Sequence, residues 1–291
     1  MFQYPADFVS LSTVPPVRNT TGLMSEKRRA RRKQLDTSHQ RNWLTGRHAV
    51  SEVLTAGVWP FTRLCATAEA WNSLPGILPH HAESSAGDSS VEQVTAERLT
   101  ELCGSRHHQG VAVQMGPFPY RSVAELRELL SEKQSLPQLT PLVVVCDRIQ
   151  DGHNLGAILR SCAAMAVDAV IIGESEQVGI TPQVARSSAG SVNLVPIVRV
   201  EQLSAAVAEL SDLGFQMLAA SEKSSTPVWD VDTTQPTAVV IGSEAHGVAD
   251  ALLSACSQQI TIPMLGRIGS LNAAVAAGML LYELRRGRVD S

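Results

Sequence analysis

The sequence predicts an α/β protein with two folded parts: a small N-terminal α/β unit and a larger C-terminal domain on a mainly parallel sheet. Three observations carry this expectation. Runs such as "PLVVVCD", 141–147, are continuously apolar, as in strands covered on both faces. Helical apolar stripes alternate with such runs through the second half of the chain. At 291 residues, 44% hydrophobic and 18% charged, the chain can bury ordinary globular cores in two domains.

Residues 1–42 are polar and then basic, with no sustained apolar period, and read as a disordered basic arm. Met24, just ahead of the basic run, is a second candidate start. From Trp43 the pattern changes. Ala49, Val50, Val53 and Leu54 have helical spacing, with Gly57 as the stop. Arg63–Thr67 and Gly110–Gln114 read as short strands flanking a helix over Ala96–Cys103, which closes a small domain over residues 43–115. Residues 116–140 form a linker with one amphipathic helix around Val123–Leu130. The C-terminal domain, 141–291, opens with the buried run ending in Asp147. A helix follows, striped by Leu155, Ile158, Leu159 and Cys162, and then a strand over Ala169–Ile172. Helix Leu203–Leu210, strands Phe215–Ala219 and Ala238–Ile241, helix Val248–Cys256, strand Gln259–Ile262 and a last helix complete it.

Charge is unevenly distributed. Residues 24–47 hold eight Lys/Arg against Glu26 and Asp36, so +6, while the net charge is −4, leaving −10 for the rest. A basic arm on an acidic body suits phosphate seeking, and equally a solvated tail. Five cysteines without a CxxC pair argue against a disulfide framework or a zinc site, and no metal is expected. The N-terminus lacks the basic-then-apolar order of a signal peptide. The longest uncharged apolar stretch, Ile268–Tyr282, falls short of the ~20 residues of a membrane span. These features together predict a soluble, cytoplasmic protein with no membrane partner.

Three polar clusters follow buried strands, where open α/β sheets place ligands. In "DRIQDGHNLGAILRS", 147–161, Asn154 falls where a helix N-cap belongs, Gly156 allows close backbone approach, and Arg160 lies beside the apolar stripe. Capping and a surface ion pair would explain these residues without a ligand. In "VVIGSEAHGV", 239–248, the Gly-Ser-Glu turn could present backbone groups to a polar ligand or be a plain strand-to-helix turn. His246 and His153 are proton-carrier candidates or simply solvated side chains. In "IPMLGRIGSLNAAVAAGMLLYELRR", 262–286, Ser270 suits the cap of the last helix, with Asn272 in its first turn. That helix is apolar nearly all round, so it needs a core or a second subunit against it. Neither GxGxxG after the first strand nor GxxxxGK[ST] occurs.

In this order and spacing the three clusters resemble motifs 1, 2 and 3 of the SpoU-type RNA ribose 2′-O-methyltransferases of the SPOUT superfamily, over about residues 141–286. "LTGRHAVSEVLTAG" and "HHQGVAV" are similar to the L30e-like RNA-binding domain found in many members. The resemblance implies a deep trefoil knot holding S-adenosyl-L-methionine, with Gly242, Ile262 and Leu271 around the cofactor. It places Glu244, Ser270 and Asn272 on the pocket and substrate side, and Asn154 and Arg160 toward RNA. It also implies a homodimer. The chain departs from the family pattern at Gly152, commonly Pro, and at Ala166 and Ala245, commonly Gly. A left-handed backbone at Ala245 would cost roughly 1 kcal/mol.

The implied activity is 2′-O-methylation of a ribose in structured RNA, rRNA ahead of tRNA because of the added RNA-binding domain. A non-catalytic knotted RNA-binding or ribosome-assembly protein is the alternative. A 2′-hydroxyl is a poor nucleophile at neutral pH, so the site must supply a base or stabilise the developing alkoxide. Arg160 is expected to act by charge, because arginine is almost never deprotonated. Asn154, Glu244 and Asn272 would orient the reacting groups.

Overall fold

The computed structural model describes residues 42–73, 89–134 and 140–289, so the basic arm lies outside the described residues. The N-terminal sheet contains β1 (Trp43–Thr45), β2 (Phe61–Ala66), β3 (Ser90–Gln93) and β4 (Val111–Met115), in the order β1-β4-β2-β3. β4 is antiparallel to both β1 and β2, and β3 runs parallel to β2. Helices α1 (Arg47–Ala56), α2 (Ala68–Ser73) and α3 (Ala96–Cys103) accompany it. α1 buries Ala49, Val50, Val53 and Leu54, the spacing read from sequence, and stops at Gly57.

Helix α4 (Val123–Gln134) begins with a capping box: the Ser122 hydroxyl accepts the Glu125 N–H, and the Glu125 carboxylate accepts the Ser122 N–H. The second sheet has six strands, β5 (Leu142–Asp147), β6 (Ala169–Gly173), β7 (Ile197–Val200), β8 (Gln216–Ala220), β9 (Thr237–Gly242) and β10 (Gln258–Ile260). Their order is β10-β8-β9-β5-β6-β7, and every pairing is parallel. Helices α5 (Gly152–Ala164), α6 (Pro182–Ser187), α7 (Leu203–Asp212), α8 (Asp250–Ala255) and α9 (Ala273–Val289) complete this domain.

Why β5 reads as an unbroken apolar run is visible in its packing. Leu142, Val144 and Cys146 join one core with α5 and α9, while Val143 and Val145 join a second with α4 and α7. Both faces are dry, so alternation disappears. Chain order reverses between β5 and β9, whose last residues, Asp147 and Gly242, pair side by side. Such a switch point opens a crevice at the carboxyl ends of the strands.

Helices α5 and α9 start at the same end and pack along their length. Gly278 sits over Ser161, where an added Cβ would lie 3.5 Å from Oγ. At their far end Arg285, 5% exposed, donates to Met165 O and Thr140 O at 2.8 Å each, to Ala166 O, and to Asp168. One guanidinium thus satisfies carbonyls that end α5 and lead into β5. Five short elements carried too little periodicity to be read from sequence: β1, β3, β7, α2 and α6, of three to six residues each. Each is held by its neighbours rather than by its own pattern.

Candidate active site

Motifs 1 and 2 leave the adjacent ends of β5 and β9 and are tied together there. Asp147, 3% exposed, accepts from Arg148 Nε and Nη2 at 3.2 and 3.1 Å and from Ala249 N–H at 2.7 Å. Arg148 takes a left-handed conformation, φ 57°, and its Nη2 also donates to Gly247 O at 3.2 Å. A buried carboxylate needs such partners, and here the partners fix the 243–249 turn. Sequence reading passed over Asp147 and Arg148; an acid ending an otherwise apolar strand was the signal.

The caps differ from those expected. Asp151, not Asn154, caps α5 through His153 N–H at 2.6 Å, and Asn154 lies inside the first turn. Asn272, not Ser270, caps α9: its Oδ1 accepts Ala274 N–H and Val275 N–H at 3.0 and 3.3 Å. Its amide NH2 donates to Asn154 Oδ1 at 3.0 Å and to Glu244 Oε1. Glu244 Oε1 also accepts Ala273 N–H at 3.3 Å, placing a carboxylate at the positive end of α9. So Asn154, Glu244 and Asn272, one from each motif, meet in a single hydrogen-bonded cluster.

A cavity of about 430 Å³ lies beside this cluster, lined by the ends of β9 and β10 and by the 262–271 turn. Gly242, Ile262, Ser270 and Leu271 are all on its wall. Its lining includes three carboxylates, Glu222, Glu244 and Asp250, against the ammonium of Lys223, with apolar surface from Ile241, Ile260 and Leu280. A second cavity of about 330 Å³ is lined by Arg148, Ile149, Gln150, Asp151, Asn154 and Glu176. The two share Ser243, Glu244, Ala245, His246 and Ala273. Arg160 lines neither cavity; it is exposed on α5, six residues beyond Asn154 and therefore on a different face.

Close packing accounts for two of the glycines. A Cβ on Gly242 would lie 2.1 Å from the Gly247 carbonyl carbon, so the missing side chain admits the protein's own turn, while the residue also lines the larger cavity. Gly156 likewise admits α6: a Cβ there would meet Ser187 Cβ at 2.4 Å. The left-handed residue of the motif 2 turn is Gly247, φ 64°, so Ala245 carries no strain of that kind; Ala166 does, at φ 48°. His153 Nδ1 sits 3.1 Å from Ser187 Oγ, which also lies 2.9 Å from Gln183 O. The thiols near the site are not nucleophiles: burial, then the Asp147 carboxylate, pushes Cys146 up to about 12, and burial raises Cys162 well above its ordinary value.

The SpoU rRNA Methylase family model matches residues 141–282, and the model for RNA 2′-O ribose methyltransferase substrate binding matches 43–121. A Staphylococcus epidermidis protein named for the TrmH family of tRNA/rRNA methyltransferases is 33% identical over 84% of this chain and 95% of its own. The SpoU methyltransferase AviRb from Streptomyces viridochromogenes, solved with AdoMet (S-adenosylmethionine), superposes with TM-score 0.67 at 23% identity. That match covers 92% of this chain and 96% of AviRb. A solved RNA 2′-O ribose methyltransferase superposes with TM-score 0.62 at 25% identity, over 89% of this chain and 92% of that one. With both of its domains matched and its three motifs gathered at one crevice, this chain belongs to the SpoU/TrmH family of S-adenosylmethionine-dependent RNA methyltransferases.

Proposed function

We propose that the protein methylates the 2′-hydroxyl of a ribose in structured RNA, ribosomal RNA ahead of transfer RNA. The observation that carries this reading is the pair of adjoining cavities, joined along the 243–246 turn, where Glu244 lines both and is hydrogen-bonded to Asn272, which also binds Asn154. One chamber suits the cofactor and the other the RNA.

The larger cavity fits S-adenosylmethionine on its own chemistry. Its volume falls in the range of about 300–1,000 Å³ usual for small-molecule sites. Ile241, Ile260, Ile262 and Leu271 offer apolar wall to an adenine, and the excess of carboxylates favours a cation. When bound, the cofactor supplies a methyl group already activated on a sulfonium. The protein's remaining tasks are positioning and charge. Asn272 holds the Glu244 carboxylate of the shared wall and the Asn154 amide of the smaller cavity in fixed orientation. Gly242 lets the turn close, and Ser270 adds a hydroxyl to the cofactor wall. Arg160 would stabilise the developing alkoxide through the adjacent phosphate.

Because Arg160 lines neither cavity of its own chain, we assign it to the site of a second subunit. Val275, Met279 and Tyr282 are 51%, 47% and 59% exposed at i, i+4 and i+7 on α9, an apolar stripe suited to a homodimer. The packing of α9 against α5, with the 221–231 segment hydrogen-bonded to 259–261, supports a C-terminus threaded as a trefoil knot. The domains in this reading are the arm 1–42, an L30e-like RNA-binding domain 43–115, a linker 116–140 and a methyltransferase domain 141–291. Free cysteines suit a reducing, cytoplasmic setting. The choice of rRNA rests on the separate substrate-binding domain, which gives the enzyme reach beyond one stem-loop.

Incubation with methyl-labelled cofactor and total RNA, followed by mapping of 2′-O-methyl positions, tests the assignment. Label on one rRNA ribose is the expected result. Label confined to tRNA overturns the choice of substrate, and label on a base overturns the choice of atom.

A further inference from the structure

The segment between the two sheets is built into both of them. Gly116 N–H donates to Pro60 O at 2.9 Å, and Trp59 Nε1 donates to Gly116 O at 2.8 Å. The Trp59 ring then meets Phe118 edge to face, centroids 5.2 Å apart, and Phe118 meets Tyr120 at 5.0 Å. At the far end Arg121 N–H donates to Ile197 O at 2.8 Å, bridging to edge strand β7, while the Arg199 guanidinium lies 5.4 Å over the Tyr120 ring. Three aromatic rings thus run in a column from the N-terminal domain onto the methyltransferase sheet.

The column ends on a loop that touches motif 1. The Tyr120 hydroxyl oxygen accepts Ile180 N–H at 2.7 Å. It passes so close to Gly179 that a Cβ there would lie 3.0 Å from it. The same loop holds both backbone groups of Ile149: Val178 N–H donates to Ile149 O at 2.9 Å, and Ile149 N–H donates to Gln177 Oε1 at 2.7 Å. Gln177 Nε2 turns back to Val178 O at 3.3 Å, which fixes the amide's orientation. Ile149, with Gln150, Asp151, Asn154 and the loop's own Glu176, walls the smaller cavity. A continuous set of contacts therefore leads from Trp59 to the wall on which Asn154 stands.

We propose that Tyr120 and Gln177 are positioning residues for methyl transfer, locking the substrate-binding domain in one register with the motif 1 wall of the RNA-side cavity. The proposal rests on the RNA-methyltransferase reading above. The physical requirement is plain: RNA gripped by one domain reaches the reacting centre in the other, and a misplacement of an ångström costs orders of magnitude in rate. A tether would leave that distance to chance.

Three substitutions separate this role from mere stability. Tyr120→Phe keeps the aromatic column and removes only the oxygen that accepts Ile180 N–H. Gln177→Ala orphans Ile149 N–H, and Gln177→Glu keeps an acceptor oxygen in its place. Rates on the RNA accepted by the wild type, cofactor affinity by calorimetry and amide exchange at Ile149 and Ile180 are read for each. Tyr120→Phe and Gln177→Ala are expected to lower kcat about tenfold with cofactor Kd unchanged, and Gln177→Glu to stay near wild type. Ile149 is expected to exchange faster in both impaired variants, and the double variant Tyr120→Phe/Gln177→Ala to be no slower than the worse single one, because both act along one path. Unchanged kcat despite faster Ile149 exchange overturns the proposal, as does full protection of Ile149 in Tyr120→Phe. If Gln177→Ala does not fold, Tyr120→Phe alone decides. A wild-type protein that labels no RNA sinks the functional reading separately; the exchange experiment still decides the coupling, since it needs no turnover.

Discussion

Asn272 concentrates two duties in one side chain. Its carbonyl oxygen caps α9 and its amide nitrogen bridges Asn154 and Glu244. The duties can be separated, because aspartate keeps the capping oxygen but sets a carboxylate against Glu244. Asn272→Ala is expected to lose about 1 kcal/mol of stability with the cap and to slow methyl transfer at least about tenfold. Asn272→Asp is expected to keep the α9 cap and still lose activity. A wild-type rate in Asn272→Asp, which keeps the cap and lacks the bridging amide, would remove the bridge from the catalytic account. Gly242 makes the opposite point. It stands on the wall of the larger cavity, and its requirement is steric closure of the 243–247 turn, so a side chain there disrupts folding of the loop as well as the pocket.

Among the elements, the parallel pair α5 and α9 carries the site. Asn272 and Asn154 join the helices at their starts, and Arg285 joins α9 to the end of α5. Arg285→Met removes a hydrogen bond from each of the Met165, Ala166 and Thr140 carbonyls and leaves Asp168 with one partner fewer, and is expected to cost about 3 kcal/mol in urea unfolding. Arg285→Lys restores charge but not the fork, and is expected to recover only part of that loss. A near-neutral Arg285→Met would mean water replaces the guanidinium. Helix α4 gives a pH prediction. Hydrogen bonds from the Ser122 backbone, from Arg121 and from the Ser122 hydroxyl hold Glu125 down to about 2. A depressed carboxyl stabilises above its ordinary range and loses that contribution as pH falls toward its folded value. The capping box should therefore open as pH drops from about 4.5 to about 2, seen as lost protection of the Ser122 amide; in Glu125→Gln the amide should show no such step.

For the whole molecule, the arrangement we propose is a site assembled from two subunits. The α9 stripe of Val275, Met279 and Tyr282 and the position of Arg160 outside both cavities of its own chain motivate it. Arg160→Ala should abolish transfer and spare cofactor binding. Leu271→Trp should fill the cofactor cavity and leave Arg160 intact. A heterodimer carrying one change on each chain then has one site with both lesions and one with neither. Activity restored to about half the wild-type level per dimer is the expected outcome if sites are independent. A silent, folded heterodimer would place Arg160 within its own chain.

What the sequence by itself determined was the part written in local pattern. Continuous apolar runs marked β5, β6 and β9, because strands buried on both faces need no polar residue. Three polar clusters after such strands marked Asn154, Glu244, Ser270 and Asn272 as neighbours of one crevice, and three of these do meet in one hydrogen-bonded group. Tertiary structure alone decided which residue caps which helix. N-capping depends on where the chain turns, and Asp151 and Asn272 win over Asn154 and Ser270 by position rather than by propensity. It alone decided that Asp147 and Arg148 brace motif 2, and that Tyr120 reaches the loop beside motif 1. Those contacts join residues 60 to 102 positions apart, a separation that no periodicity along the chain records.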